Sequence, residues 1–164
     1  RFINHSGHSQ QISSVKHAMV YMGEVELKKF VALLALANLK DRGPDELLRQ
    51  SLVRAKFCDA LAQCLKLAKN PPSSFLVGLF SNVHLIVEQP LQELLEQLPL
   101  LPEVKLALLK REGQLGHFLR LTEAFEQANW PLTDALMRSL PDVTDLTPLF
   151  VDSVAWAESV LRHA

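Results

Sequence analysis

Six histidines, two cysteines and eighteen acidic residues are the side chains through which this 164-residue chain could do chemistry. His5 and His8 stand three residues apart in a Ser/Gly/Gln-rich loop, a spacing that can present two imidazoles to one metal, but no carboxylate partner accompanies them. The default for such a pair is a solvated loop. His17 and His117 fall on amphipathic helices as surface or half-buried residues, and His163 is terminal. No His-x-x-x-His, His-x-x-Glu-His or paired-carboxylate arrangement converges on an open coordination site. Nucleophilic chemistry lacks its context too: there is no Gly-x-Ser-x-Gly elbow, and nothing near Cys58 or Cys64 marks a thiolate. Gly113 and Gly116 form a G-x-x-G, but no strand precedes it and no Lys-Ser/Thr follows. That pair marks helix termination rather than a phosphate cradle.

The cysteines, placed on one helix, are separated by about 9 Å of rise, too far for a disulfide. Both read as small core residues of a protein in a reducing, cytoplasmic compartment. Nearly half the chain is apolar (48%), and the formal charge is −1, so neither nucleic acid nor anionic lipid is an expected partner. No apolar run reaches the length of a membrane span. Abundant Leu, few aromatics and scarce Gly favour helices over sheet.

Helices are predicted from Ser13 or Ser14 to Met22, then over 24–39, apolar all round between Phe30 and Ala37. A third, 45–67, is amphipathic. Leu48, Leu52, Ala55, Cys58, Ala62 and Leu65 form its inner side; Arg49, Lys56, Asp59, Gln63 and Lys66 form its outer side. Arg54 belongs to a mixed-charge set of residues expected on solvated helix faces. After Lys69-Asn70-Pro71-Pro72, Ser73 or Ser74 caps a helix containing Phe75-Leu76-Val77-Gly78-Leu79-Phe80-Ser81-Asn82. Further helices are expected at 90–98, 103–112, 115–129, 131–140 and 147–163. The polar run of Glu88, Gln89, Gln92, Glu93, Glu96 and Gln97 reads as a solvated face. No period-2 pattern of useful length and no internal repeat is present. The fold class is all-α.

The Phe75–Asn82 run resembles a helix of the HD phosphohydrolase superfamily, in which His-Asp, two metal ligands, stand where this chain has Ser81 and Asn82. Two further segments extend the likeness: Arg1–Ser6 with Ile12–Gly23, and Glu26–Ala37 with Leu52–Cys58. With Leu108–Gly113 they make the whole chain resemble the HDOD domain, in the branch where it follows an EAL domain in bacterial cyclic-di-GMP signalling proteins. The resemblance implies an HD-superfamily-like helical bundle over 1–164, truncated at its N-terminus, with sub-lobes 1–89 and 90–164 as one division. It implies a non-catalytic regulatory or interaction domain, with any phosphodiesterase chemistry upstream. The expected partners are that EAL domain or other signalling proteins; a homodimer is left open. No cofactor, metal or catalytic residue is expected.

Two other functions remain. A small-molecule sensor would bind its ligand at Ser81 and Asn82, the former metal positions. A residual phosphohydrolase would need His5, His8, His84 and acids such as Asp59 to converge. The spacing does not favour that: His84 points about 200° away from Asn82 on a helix.

Overall fold

A computed structural model describes residues 45–67, 72–86, 88–98, 100–140 and 142–162. The helices predicted before residue 45 and the residues His5, His8, His17 and His163 lie outside this set. The described residues are all-helical. α1 spans Asp45–Cys64, α2 Ser73–Leu79, and a 3₁₀ turn, Phe80–Asn82, leads into the short α3, Val83–Ile86. Then come α4 (Leu91–Gln97), α5 (Pro102–Lys110), α6 (Gly113–Glu126), α7 (Trp130–Met137) and α8 (Thr147–Arg162).

The starts of several helices follow from single residues. Pro102 sits in the first turn of α5, where its missing N–H costs nothing. The Asn129 side chain accepts from Leu132 N at 3.3 Å to cap α7, and Asp145 accepts from Thr147 N at 2.9 Å ahead of α8. The expected serine cap of α2 is corrected: Pro72 holds the cap position without a side-chain bond, and both serines lie inside the helix.

The stops are less visible in the sequence, because left-handed residues that are not glycine make them. Lys66 (φ 55°) ends α1, with Leu67 N bonded to Ala62 O at 2.7 Å. Glu88 (φ 54°) does the same after α3, with Gln89 N bonded to His84 O at 3.1 Å. Ala128 (φ 53°) ends α6, with Asn129 N bonded to Ala124 O at 2.9 Å. The expected ends at 67 and 129 therefore overran by about a turn. The reading of Gly113 and Gly116 as a helix stop is corrected: Gly113 (φ 73°) opens α6 itself, and Gly116 lies within the helix.

α1 is the central helix and packs against α2, α6 and α8. Phe57, Leu61, Phe75, Leu79, Phe118 and Leu121 are all at most 1% exposed, each contributing about 1.5–3 kcal/mol by burial. Aromatic pairs join the elements: Phe57 meets Phe150 edge-on at 5.7 Å, and Phe75 meets Trp156 at 6.0 Å. At Gly78 the backbone of α2 presses onto α1, and a Cβ there would collide with the carbonyl carbon and oxygen of Arg54.

α1 keeps its expected two faces in the main: Leu48, Leu52, Ala55, Cys58 and Ala62 are buried, Arg49 and Lys56 half-buried, and Gln63 and Lys66 exposed, with Asp59 and Arg54 the exceptions to the expected solvated side. Ser51, Val53, Arg54 and Asp59 are all buried, because helices cover α1 on more than one side. Cys64, expected in the core, is exposed; Cys58 is buried, and both are free thiols. Glu88, Gln89, Gln92, Glu93, Glu96 and Gln97 are exposed as the sequence predicts.

Candidate functional site: a buried arginine bonded to Ser81 and Asn82

Three elements converge on one polar cluster in this core. α1 contributes Gln50 and Arg54, four residues apart and so on one face. The 3₁₀ turn contributes Ser81 and Asn82, 2% and 5% exposed. α6 contributes Glu123 and Glu126, likewise on one face. The close approach at Gly78 sets the turn's distance from Arg54.

Arg54 occupies the centre. Its Nη1 donates to Ser81 Oγ at 3.3 Å and to Asn82 Oδ1 at 3.2 Å. Its Nε and Nη2 donate to Glu126 Oε2 at 2.9 and 2.8 Å, and Nε also reaches Oε1 at 3.2 Å. Glu123 Oε1 stands 3.6 Å from Nη1 and bridges to Arg111, whose Nη2 lies 2.8 Å away. The side chains of Arg54 and Glu126 are only 9% and 10% exposed. An unpaired guanidinium would be very costly there; the surrounding acceptors make it tenable.

The remaining capacity of the cluster is spent internally. Ser81 Oγ donates to Gly78 O at 2.7 Å, and Asn82 Nδ2 donates to Gln50 Oε1 at 2.8 Å. Gln50 Nε2 in turn donates to Glu126 Oε2 at 3.3 Å. Burial raises the Glu126 carboxyl above the ordinary range, outweighing the opposing pull of Arg54. One turn along α1, Cys58 Sγ lies 3.4 Å from Thr122 Oγ1, and burial pushes the thiol up to about 12. A shallow cavity of about 220 Å³, lined in part by Gln50, Glu126, Arg49 and Phe150, reaches the outer side of the cluster.

This chemistry does not fit a divalent metal. Ser81 and Asn82 bring no charge, and a cation of the protein's own already lies within hydrogen-bond distance of both. Among the described residues no group of three or more His, Cys, Asp or Glu could hold a metal ion. His84 is half-buried with its Nδ1 unpartnered, and burial, helped by the charge of Arg111, lowers its pKa. Asp59 accepts from Gln63 Nε2 at 2.8 Å on its own helix. His117 lies elsewhere, 3.1 Å from Leu136 O and 3.0 Å from Ser139 Oγ.

Arg54 is the residue that the sequence reading missed, by assigning it to a solvated face. One signal was available: Arg54 sits between Val53 and Ala55 in a stretch with apolar residues on every side of the helix. Two carboxylates at i, i+3 in α6 are the other half of that signal.

The described residues form an all-helical domain built around a buried arginine cluster. The HDOD domain family matches residues 4–127, and the chain belongs to that family. It is 35% identical over 165 residues to a Vibrio cholerae protein named cyclic di-GMP phosphodiesterase CdgJ, covering 99% of this chain and 38% of that protein. A Bacillus subtilis protein, named uncharacterized protein YuxH, is 29% identical over 167 residues, covering 98% of this chain and 40% of that one. The chain thus spans about two-fifths of these relatives. No solved structure matches. No helix among the described residues is long and apolar enough to cross a membrane.

Proposed function

We propose that the chain is a non-catalytic regulatory domain of a cyclic-di-GMP signalling protein, acting by docking to an EAL domain that precedes it or to another signalling protein. The observation that carries the non-catalytic half is Arg54. Its guanidinium bonds to both residues at the former ligand positions, and a divalent ion there would meet a buried positive charge. The signalling half is supported by the relative named a cyclic di-GMP phosphodiesterase, most of whose length lies outside the match. In this reading the buried ionic cluster gives the domain one rigid arrangement to present to its partner.

Two measurements test the proposal. The purified chain, supplied with Mn²⁺ or Ni²⁺, should hydrolyse neither p-nitrophenyl phosphate nor cyclic di-GMP. Metal-dependent turnover lost in Ser81→Ala and Asn82→Ala would overturn the non-catalytic assignment. In a protein where the chain follows an EAL domain, deleting the chain should change the rate of cyclic-di-GMP hydrolysis. Equal rates with and without it would remove the regulatory assignment.

A further inference from the structure

α8 is held to the core differently from the other helices that meet α1. Of its 16 residues only Ser153 and Ala157 are fully buried, and both are small. α6, by comparison, buries Phe118, Leu119 and Leu121 completely. The bulky residues that α8 brings to the interface, Phe150, Val154 and Trp156, are half-buried. Its packing falls chiefly on α1. The Ser153 hydroxyl donates back to Leu149 O at 2.6 Å rather than across the interface. Glu158 comes within 3.9 Å of Arg49, but those side chains are 47% and 35% exposed, and such a pair holds weakly.

The residues beneath α8 are deeply buried. Phe57 packs edge-on against Phe150, and Phe75 against Trp156. Phe150 and Val154 also wall the cavity of about 220 Å³ beside Glu126. α8 therefore keeps water from two aromatic rings and from the outer side of the ionic cluster. The connection that leads to it is anchored: Leu140, Val143 and Leu146 are buried, and Asp145 accepts from Thr147 N where the helix begins. The family match ends at residue 127, before α7 and α8.

We infer that α8 is a strap that opens as a unit from the body formed by α1–α7, pivoting after Leu146, and that its opening uncovers Phe57 and Phe75 and wets the Glu126 side of the ionic cluster. A segment with few buried apolar side chains opens at lower free energy than the core on which it rests. Seated, α8 keeps the cluster dry and the arrangement of α1 and α6 fixed. Released, it exposes an aromatic face that the closed domain hides. The inference stands whether or not the domain docks to an EAL domain.

The test is hydrogen exchange by NMR on the whole 164-residue chain. The α8 amides from Val151 to Val160 should exchange about 100-fold faster than those of Leu61 and Leu121. Urea below the unfolding midpoint should change their rates little, because a local opening exposes little surface. The Arg54 Nε–H should exchange with α8 rather than with the core. Ala157→Asp, which puts a charge into the interface, should abolish protection in α8 and speed the Arg54 Nε–H about tenfold, while Leu61 and Leu121 stay protected. Ala155→Asp, the same change on the exposed side of α8, should leave all these rates at wild-type values. The inference is overturned if α8 exchanges at the rate and with the urea dependence of Leu61, if Ala157→Asp strips protection from the core as well, or if it leaves α8 protected. It is equally overturned if Ala155→Asp releases α8 as readily.

Discussion

Replacing Arg54 by Met should be among the most damaging single substitutions in the described residues. The change keeps an aliphatic stem in the core but removes every donor that Glu126 receives from Arg54, at 2.8, 2.9 and 3.2 Å. Only the neutral Gln50, at 3.3 Å, would still serve that carboxylate. Ser81 and Asn82 each lose a donor at the same time. Breaking a pair whose side chains are 9% and 10% exposed costs about 3–5 kcal/mol, because the cost is dominated by the charge left behind. For a domain of this size that corresponds to a fall in Tm of roughly 10–15 °C. The double variant Arg54→Met/Glu126→Leu should recover most of the loss, since no charge is then stranded.

The pH dependence gives a second handle on the same perturbation. Burial already raises the Glu126 carboxyl, and removing Arg54 raises it further. A carboxyl raised on folding contributes stability that is fully present below its unfolded pKa and is lost as pH rises through the folded one. The Arg54→Met deficit should therefore be largest near pH 8 and shrink toward pH 5. Urea unfolding followed at 222 nm, at both pH values, measures this directly. A deficit below about 1 kcal/mol at pH 8, similar to that of a surface substitution, would refute the buried-cation account.

The two thiols should differ sharply: Cys64 reacts with DTNB at pH 8, whereas Cys58 reacts only after denaturation. Because burial raises Cys58 to about 12 from 9.0, its contribution is intact below pH 9 and is lost as pH climbs toward 12; a stability curve flat over that window would contradict it. Gly78→Ala should destabilise by about 1–3 kcal/mol despite the better helix propensity of Ala, since the new Cβ meets the Arg54 backbone; urea midpoints decide. Ala128→Gly, at an exposed left-handed position, should stabilise by about 1 kcal/mol, read as a higher thermal midpoint.

The helical class, the order of elements after residue 45, the solvated Glu/Gln face of α4 and the HDOD resemblance that the family match supports are all legible in the sequence. Periodicity and proline punctuation carry such information locally, because a helix start or a polar face depends on residues within a turn or two. Helix ends were read less well. Glycine is the usual stop, and the described residues use Lys66, Glu88, Arg111 and Ala128 instead. Their left-handed geometry costs about 1–2 kcal/mol each and is held by the packed structure around them. The resemblance also drew attention to Ser81 and Asn82, and what surrounds them was a tertiary matter. Arg54 and Asp59 have the composition of a solvated face, and only the covering of α1 from several sides turns them inward. Arg54 meets Asn82 across 28 residues and Glu126 across 72, so no local pattern reveals that a guanidinium bonds to Ser81 and Asn82.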